Sequence, residues 1–572
     1  MTHCHFLRTT FSLSALWFVS ALPAGPSSGA ERAEPPRPIA TGPVIRPVVL
    51  PDGTLQSFLP DRRQQQMLSV RSSDHGQTWS PPRPEFSLPL DGMAGGLAAI
   101  DRDGEIHVVL THARGQGAPA VTRFIDLWHC HTAGGRRSWS PPQRIWEGYC
   151  GAVMDIKQLR SGRIIIPFAA WKKPGEEVAP STGLNYTTCL YSDDGGRSWS
   201  LSPAKLTSPC TEGYNGNNYG AIEPTILELQ DGRVWMLLRT QTGYLYESFS
   251  RDGVHWSPAK PSVFRSSSSP AALERFPDGR IVVVWNNCQM PPRHQGAGVY
   301  GGRDALHAAV SADEGATWRG FREVYRDPFR NQTPPRRGDR GTAYPGMAAA
   351  QDGTLVLVTG QGNRRTMLLV DPEWLLERAQ EEDFSKDLSA WHVWKEFGPA
   401  AGYWRDRTQG PRLVPHPSRA GAQALLVCKP DGNDADCAAW NFPAAARGRL
   451  SLRMLLPAGS AGAIISLTDR FFHPGDERGE AEAVFRLTVR AAPATDGDIR
   501  LPAGRWSTVT LTWDTRERTC QMALDDSSAG SVPLQNQAAH GPSYLRVRSA
   551  AEAEDPHGVL VDWVAFEAEQ DE

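Results

Sequence analysis

At 572 residues the chain is longer than one hydrophobic core normally organises, so two domains are expected. Its 60 Lys and Arg stand against 63 Asp and Glu, which leaves no global field to draw it to nucleic acid or to an anionic membrane surface. Recognition of an anion would have to be local.

The chain opens with Arg8, a largely apolar run from Phe11 to Leu22 and small residues around Ala24 and Ala30, a pattern that predicts a secretory signal peptide over residues 1–30. The run is too short to span a bilayer. The mature protein is therefore expected to be secreted or periplasmic, without membrane insertion after signal cleavage. Of nine cysteines, Cys4 would leave with the signal. The other eight, Cys130, Cys150, Cys189, Cys210, Cys288, Cys428, Cys437 and Cys520, would be structural disulfides or inert buried thiols, since none has the Cys-x-x-Cys spacing of a metal site.

An internal repeat follows. Ser72-Ser-Asp-His-Gly-Gln-Thr-Trp79, Ser192-Asp-Asp-Gly-Gly-Arg-Ser-Trp199 and Ser311-Ala-Asp-Glu-Gly-Ala-Thr-Trp318 share the template S-x-D-x-G-x-[ST]-W, and degraded copies end at Trp139 and Trp256. The tryptophans recur at steps of about 60 residues, the length that a four-stranded propeller blade and its loops need. Each copy reads as a hairpin corner: Asp accepts backbone N–H bonds, Gly takes the left-handed conformation and Trp packs between sheets. Turn-plus-strand patterns begin at Gly53, Gly104, Gly162, Gly232, Gly279 and Gly353. Six blades over residues 40–375 is the simplest count, although spacing alone also admits seven.

After a short helical-looking link that begins at Pro372, the repeat stops. Residues 382–572 hold short strands such as Arg449-Leu-Ser-Leu-Arg-Met-Leu-Leu and Trp506-Ser-Thr-Val-Thr-Leu-Thr-Trp, separated by turn residues. They predict one β-sandwich. The expected fold class is thus all-β, a six-bladed β-propeller followed by a β-sandwich of jelly-roll type. The stretch Leu501 to Asp514 resembles concanavalin- or laminin-G-like jelly rolls, which often bind glycans; a packing or spacer role is the alternative. Trp391, Trp394 and Trp404 read as core side chains or as platforms for sugar rings.

The Asp-box repeat resembles the sialidase (neuraminidase) superfamily, and five further positions follow that family's order. Arg46 opens the first blade ahead of Pro47. Glu223 precedes Arg239 by sixteen residues across a D-G turn, Arg303 precedes the strand that leads to an Asp box, and Tyr344 comes about forty residues later. The resemblance implies an exo-acting retaining glycosidase. Arg46, Arg239 and Arg303 would hold the substrate carboxylate, Tyr344 would be the nucleophile and Glu223 its base. Guanidinium is always charged and pairs carboxylate oxygens in a fork. A phenol avoids the repulsion that an Asp or Glu nucleophile would meet beside that carboxylate, but with a pKa near 10 it needs a base. The substrate would be a glycan ending in sialic acid or a related ulosonic acid, and the chemistry calls for no metal or organic cofactor.

The acid/base Asp of the family lies in a first-blade loop shortly before the first Asp box. Here that loop is contracted, leaving Asp61 and Asp91 as the nearest substitutes and Asp126 or His129 as further ones. Three rival readings stay open: a propeller polysaccharide lyase acting on uronates, a secreted glycan-binding propeller without turnover, and a purely structural secreted propeller.

Overall fold

The computed structural model describes residues 33–39, 45–115, 124–135, 138–171, 185–209, 220–289, 302–332, 341–361, 365–401, 404–432, 434–491 and 498–569. The expected signal segment lies outside them. No helix among the described residues is long and apolar enough to cross a membrane.

Six antiparallel sheets follow one another along the chain and form the blades of a propeller. Blade 1 contains Val48–Val49, Leu55–Asp61, Gln66–Ser72 and Arg83–Ser87. Blade 2 contains Met93–Ile100, Ile106–Arg114, Phe124–Ala133 and Gln143–Trp146, with Ser138–Trp139 added at its corner. Lys157–Gln158, Ile164–Ala170, Tyr186–Ser192 and Ser200–Leu201 make blade 3. Blade 4 is Ile222–Glu228, Val234–Arg239, Tyr244–Ser250 and Lys260–Arg265, and blade 5 is Ala272–Arg275, Ile281–Trp285, Ala305–Ser311 and Arg319–Arg326.

Blade 6 takes three strands from the end of the repeat, Gly346–Ala349, Leu355–Thr359 and Thr366–Val370, and its fourth from Arg37–Ile39. Arg37 pairs with Leu369 and Ile39 with Met367, so the ring closes by joining its last blade to the start of the chain. This strand lies before residue 40, where the repeat was expected to begin. It is three residues long and carries neither a corner motif nor an apolar alternation.

The corners form as their residue types dictate. Asp74 accepts from the Thr78 amide at 2.9 Å and from its hydroxyl at 2.6 Å, Ser72 Oγ accepts from the Gly76 amide, and the Trp79 indole N–H donates to the Gly76 carbonyl at 3.0 Å. The corners at Asp194 and Asp313 repeat these bonds. Each corner joins the third strand of a blade to the fourth, on the face where the glycine turns join the first to the second. The opposite face therefore collects the starts of the inner strands and the second-to-third connections.

The chain then builds two packed sheets. One runs Arg412–Pro415, Gln423–Lys429, Asp555–Ala568, Arg447–Leu455, Trp506–Asp514, Thr519–Leu524 and Ser527–Pro533, with Ala379–Glu382 also on Asp555–Ala568. The other runs Trp391–His392, Cys437–Asn441, Tyr544–Ser549, Ala463–Thr468, Phe485–Arg490 and Ile499–Arg500. Between them lies one apolar core that includes Trp391, Trp440, Leu450, Leu452, Leu511, Trp513 and Phe566. Trp391 and Trp394 are fully buried, so both are packing side chains and not sugar platforms; the Trp404 side chain lies outside the described residues. The seven described cysteines are buried free thiols, and burial pushes them well above the ordinary thiol range at Cys130, Cys150 and Cys189. Cys210 lies outside the described residues.

Propeller and sandwich meet through buried polar groups. Tyr544 donates to Glu323 of blade 5 at 2.5 Å, and His392 donates to the same carboxylate oxygen at 2.7 Å. The Asn287 amide donates to Nδ1 of His307, so Nε2 carries the proton and donates to the Tyr544 hydroxyl. Burial raises the cost of ionising Glu323, but His392 and Arg326 outweigh it and hold the carboxyl below its usual value.

Candidate active site

Four of the five positions that sequence singled out for nucleophile, base and arginines come together on the face opposite the Asp boxes. Glu223 stands at the start of the inner strand of blade 4, Arg239 ends its second strand, Arg303 precedes the third strand of blade 5, and Tyr344 precedes the inner strand of blade 6. The Tyr344 hydroxyl donates to Glu223 Oε1 at 3.0 Å. Arg239 Nη1 donates to Glu223 Oε2 at 2.6 Å and to the Tyr344 hydroxyl at 3.1 Å. The Arg303 guanidinium sits 5.5 Å from the centre of the Tyr344 ring. Arg239 and Arg303 are buried, whereas Tyr344 is half-buried.

The backbone reaches this arrangement through local strain. Glu223 has φ of +48° and Tyr344 of +62°, in the left-handed region that non-glycine residues rarely adopt. Each also precedes a proline, which restricts it further toward extended conformations. The strand pairing slips between Ile222 and Thr225, so Glu223 sits in an irregularity that turns its side chain out of the ladder. Two outliers that touch across two blades mark a functional centre more strongly than either alone.

Ser268 is a member of the site that sequence reasoning passed over. Its hydroxyl accepts from Arg239 Nε at 3.2 Å and Nη2 at 3.1 Å, while its carbonyl accepts from Arg303 Nη2 at 2.8 Å. It belongs to the buried run Ser266 to Ser269, in which Ser267 donates to the Gly302 carbonyl and Ser269 to Asn286. Four serines followed by Pro270, ahead of an apolar strand, were the available signal. Gln361 accepts from Arg303 Nη1 at 3.2 Å, and Arg365, exposed at the blade 6 hairpin, interacts electrostatically with Tyr344.

Arg46 is placed differently. Among the described contacts none joins it to Arg239, Arg303 or Tyr344. Its guanidinium donates to Asp155 of blade 3 at 2.7 Å, to Glu274 of blade 5 at 2.8 Å and, through Nε, to the Met347 carbonyl at 3.0 Å. Burial penalises the charge, but the two carboxylates outweigh it and raise the arginine above its ordinary value. Three of five N–H donors are thereby used, two on the terminal nitrogens remain, and the side chain keeps 11% exposure. Its Cβ abuts Gly346, two residues beyond Tyr344: a Cβ on that glycine would come within 2.9 Å. Arg46 thus approaches the site from the side of the Tyr344 segment.

The acid/base candidates stay outside the hydrogen-bonded cluster. Asp61 accepts from the amides of Arg63 and Gln64 in the hairpin turn of blade 1. Asp91 is exposed in the turn before blade 2, where its carboxylate accepts from the Gly92 amide. Both lie on the same face as Tyr344. Asp126 is buried in a fork with Arg114 and accepts the Gly148 amide, and His129 forms a triangle of rings with His107 and His131 and packs edge-on against Trp199, so these two hold blade 2 together. Among the described residues no group of His, Cys, Asp and Glu is arranged to hold a metal ion.

Residues 125–357 match the family described as BNR repeat-like domain. A sialidase of Micromonospora viridifaciens is 24% identical over 311 residues, which cover 47% of this chain and 44% of that protein's length. Among solved structures, a Trypanosoma rangeli sialidase aligns with 95% of this chain and 96% of its own at 12% identity, with a TM-score of 0.39. A protein of unknown function from Dyadobacter fermentans aligns with 59% of this chain and 99% of its own at 16% identity, with a TM-score of 0.40. With its recurrent Asp-box corners and six-bladed ring, the chain is similar to the sialidase superfamily in the family match and in the curated relative.

Proposed function

We propose that the protein is an exo-acting retaining glycoside hydrolase that removes a terminal carboxylate-bearing sugar, sialic acid or a related ulosonic acid, from glycans. The observation that carries this reading is the contact of Tyr344, Glu223 and Arg239. A phenol that donates to a carboxylate at 3.0 Å has a base in place, and an arginine 3.1 Å from the same oxygen stabilises the charge that develops there. The Tyr344 oxygen attacks the anomeric carbon as its proton passes to Glu223, and the bond to the leaving alcohol breaks. Water, deprotonated in turn, then displaces the tyrosine and restores the sugar's configuration.

Arg239 and Arg303 take the substrate carboxylate, and Arg46 adds its two remaining donors, aimed by Asp155 and Glu274. No residue among these contacts protonates the leaving alcohol. Asp91 and Asp61, on the same face, are the proposed sources of that proton. The enzyme acts after export, as the N-terminal apolar run predicts.

The test is release of an acidic sugar from 4-methylumbelliferyl sialoside and from natural sialoglycans by the wild type and by Tyr344→Phe. Turnover of both substrates by the wild type alone supports the reading. Binding of sialic acid without turnover favours the glycan-binding alternative, and absorbance from a new double bond in a uronate polymer favours the lyase. An Asp91→Asn or Asp61→Asn variant that keeps the aryl glycoside and loses natural glycans identifies the acid, because a phenolic leaving group needs little protonation.

A further inference from the structure

Asn286 follows the second strand of blade 5 and is fully buried. Its side chain meets three separate segments of the propeller. Oδ1 accepts from the Ser269 hydroxyl, and Nδ2 donates to the Ala305 carbonyl at 2.7 Å and to the Thr342 hydroxyl at 3.0 Å. A carbonyl can only accept, so Ala305 fixes which end of the amide is nitrogen. Ser269, Ala305 and Thr342 are as fully buried as Asn286, and both N–H groups and the oxygen of the amide are engaged.

Two of these segments carry the site. Ser269 directly follows Ser268, whose hydroxyl and carbonyl hold Arg239 and Arg303. Thr342 stands two residues before Tyr344, and its own groups are pinned: the amide and hydroxyl donate to the Arg303 carbonyl at 2.8 and 3.1 Å, and its carbonyl accepts from the Thr359 hydroxyl. Asn286 is therefore a buried link between the serine run that joins the two arginines and the segment that carries the tyrosine. Its own place in the chain is set from the other side. The next residue, Asn287, donates through its side chain to the Asp469 carbonyl at 3.0 Å, and its carbonyl accepts from the Phe471 amide at 2.9 Å, so the β-sandwich holds the chain immediately after Asn286.

We propose that Asn286 is a positioning residue for the nucleophile: by binding Thr342 to Ser269 it holds Tyr344 in the left-handed conformation that brings its hydroxyl to Glu223. The inference rests on the reading of Tyr344 as the nucleophile. Its physical cause is the strain at that residue. A φ of +62° ahead of a proline persists only while neighbouring segments enforce it, and such a residue relaxes toward extended backbone when they let go. Asn286→Ala takes a partner from three fully buried groups at once, the Thr342 hydroxyl among them. Tyr344 then moves, while Arg239 keeps Ser268 and Glu223 and Arg303 keeps the Ser268 carbonyl and Gln361, so the chemical step suffers more than binding.

The full chain is compared with Asn286→Ala, Thr342→Val and Thr342→Ser. For hydrolysis of a carboxylate-bearing aryl glycoside, kcat is expected to fall about tenfold to a hundredfold in Asn286→Ala, as for a misplaced reacting atom, with a much smaller change in KM. Thr342→Val, which keeps the branching and loses only the hydroxyl, should lower kcat in the same way, and it carries the test alone if Asn286→Ala does not fold. Thr342→Ser keeps the hydroxyl and should recover most of kcat. The double variant Asn286→Ala with Thr342→Val should be no slower than the slower single, because both break one link. A lower melting temperature with wild-type kcat in Asn286→Ala and Thr342→Val would overturn the proposal and leave Asn286 a purely structural bond. A rise in KM that matches or exceeds the fall in kcat would also overturn it, by placing the damage at the arginines. If the wild type neither cleaves nor binds an acidic sugar, the glycosidase reading fails. The crystal structure of Thr342→Val then decides the positioning by itself: Tyr344 withdrawn from Glu223 upholds it, and the 3.0 Å contact intact refutes it.

Discussion

Glu223 and Tyr344 belong to different blades, yet each holds a left-handed backbone immediately before a proline, and their side chains meet at 3.0 Å. Conformations of this kind cost about 1–3 kcal/mol each and persist only where the surroundings enforce them. Here the enforcement comes from the ring itself. Blades 4 and 6 fix where the two inner strands begin, and Arg239 bridges the residues that lead into them.

Tyr344→Phe removes the hydroxyl proposed as nucleophile and keeps the ring over which Arg303 sits. Turnover of an aryl sialoside is expected to fall by about a thousandfold or more, as for loss of a nucleophile acting in a unit. The variant should unfold at the same denaturant concentration as the wild type and still bind free sialic acid within a small factor. Residual turnover at a tenth of the wild-type rate would remove Tyr344 from the nucleophile's place.

Glu223→Leu should cost more in stability than in fold. It leaves Arg239, fully buried, without its carboxylate, a loss of about 3–5 kcal/mol for a broken buried pair. Replacing both, Glu223→Leu with Arg239→Met, is expected to recover much of that loss while remaining inactive. Urea unfolding of the two singles and the double closes the cycle. A coupling close to zero would contradict the burial and contact assigned to this pair.

The propeller was legible because its instructions are local: an Asp box or a degraded copy of it in five of the six blades, a glycine turn in every blade, and an apolar strand after each turn. The site was partly legible for a related reason. Glu223, Arg239, Arg303 and Tyr344 each sit at a fixed place relative to a strand end, so spacing along the chain carried their positions. Ser268 was not found, because a serine run looks like any polar loop until the two arginines it joins are seen converging from different blades. The commitment of Arg46 to Asp155 and Glu274 was equally hidden, since those partners lie 109 and 228 residues away in sequence. The closing strand Arg37–Ile39 escaped because its structure comes wholly from its partner, Thr366–Val370.

Ser268→Ala tests the joint between the two arginines. It removes the hydroxyl that accepts from Arg239 and leaves the carbonyl that accepts from Arg303. Buried guanidinium donors lose an acceptor, worth about 1–3 kcal/mol. The expected outcome is a several-fold loss in kcat/KM for the acidic glycoside, with Ser268→Thr retaining more activity than Ser268→Ala where its extra methyl fits. Equal kinetics in wild type and Ser268→Ala would mean that the Ser268 hydroxyl does not orient Arg239.

Arg46→Lys separates the two roles of that residue. Lysine keeps a charge near Asp155 and Glu274, with Lys157 already beside Glu274 at 3.2 Å, so folding should survive. It cannot present a fork, so KM for the carboxylate substrate is expected to rise about tenfold or more. A variant with wild-type KM and a lowered melting temperature would make Arg46 an axial pin between blades 1, 3 and 5 and remove it from substrate binding.

Acid should loosen the joint between propeller and sandwich. Burial pushes His307 down to about 3 and His540 down to about 4, and His540 stacks on Phe321 of the propeller at 4.2 Å. Both are neutral when folded, while an exposed imidazole titrates near 6.5. Their contribution is therefore complete above pH of about 6.5 and is lost as pH falls toward the folded values, because only the unfolded chain takes up the protons in that window. Glu323, held below its usual value, acts in the same direction once pH passes below about 4.3, its unfolded value. Each imidazole adds a slope of about 1.4 kcal/mol per pH unit. Unfolding free energies measured between pH 7.5 and pH 4.5 should fall less steeply for His540→Phe than for the wild type, by about one proton's worth. Parallel slopes would mean that His540 is protonated in the folded protein and that the joint is not where acid acts.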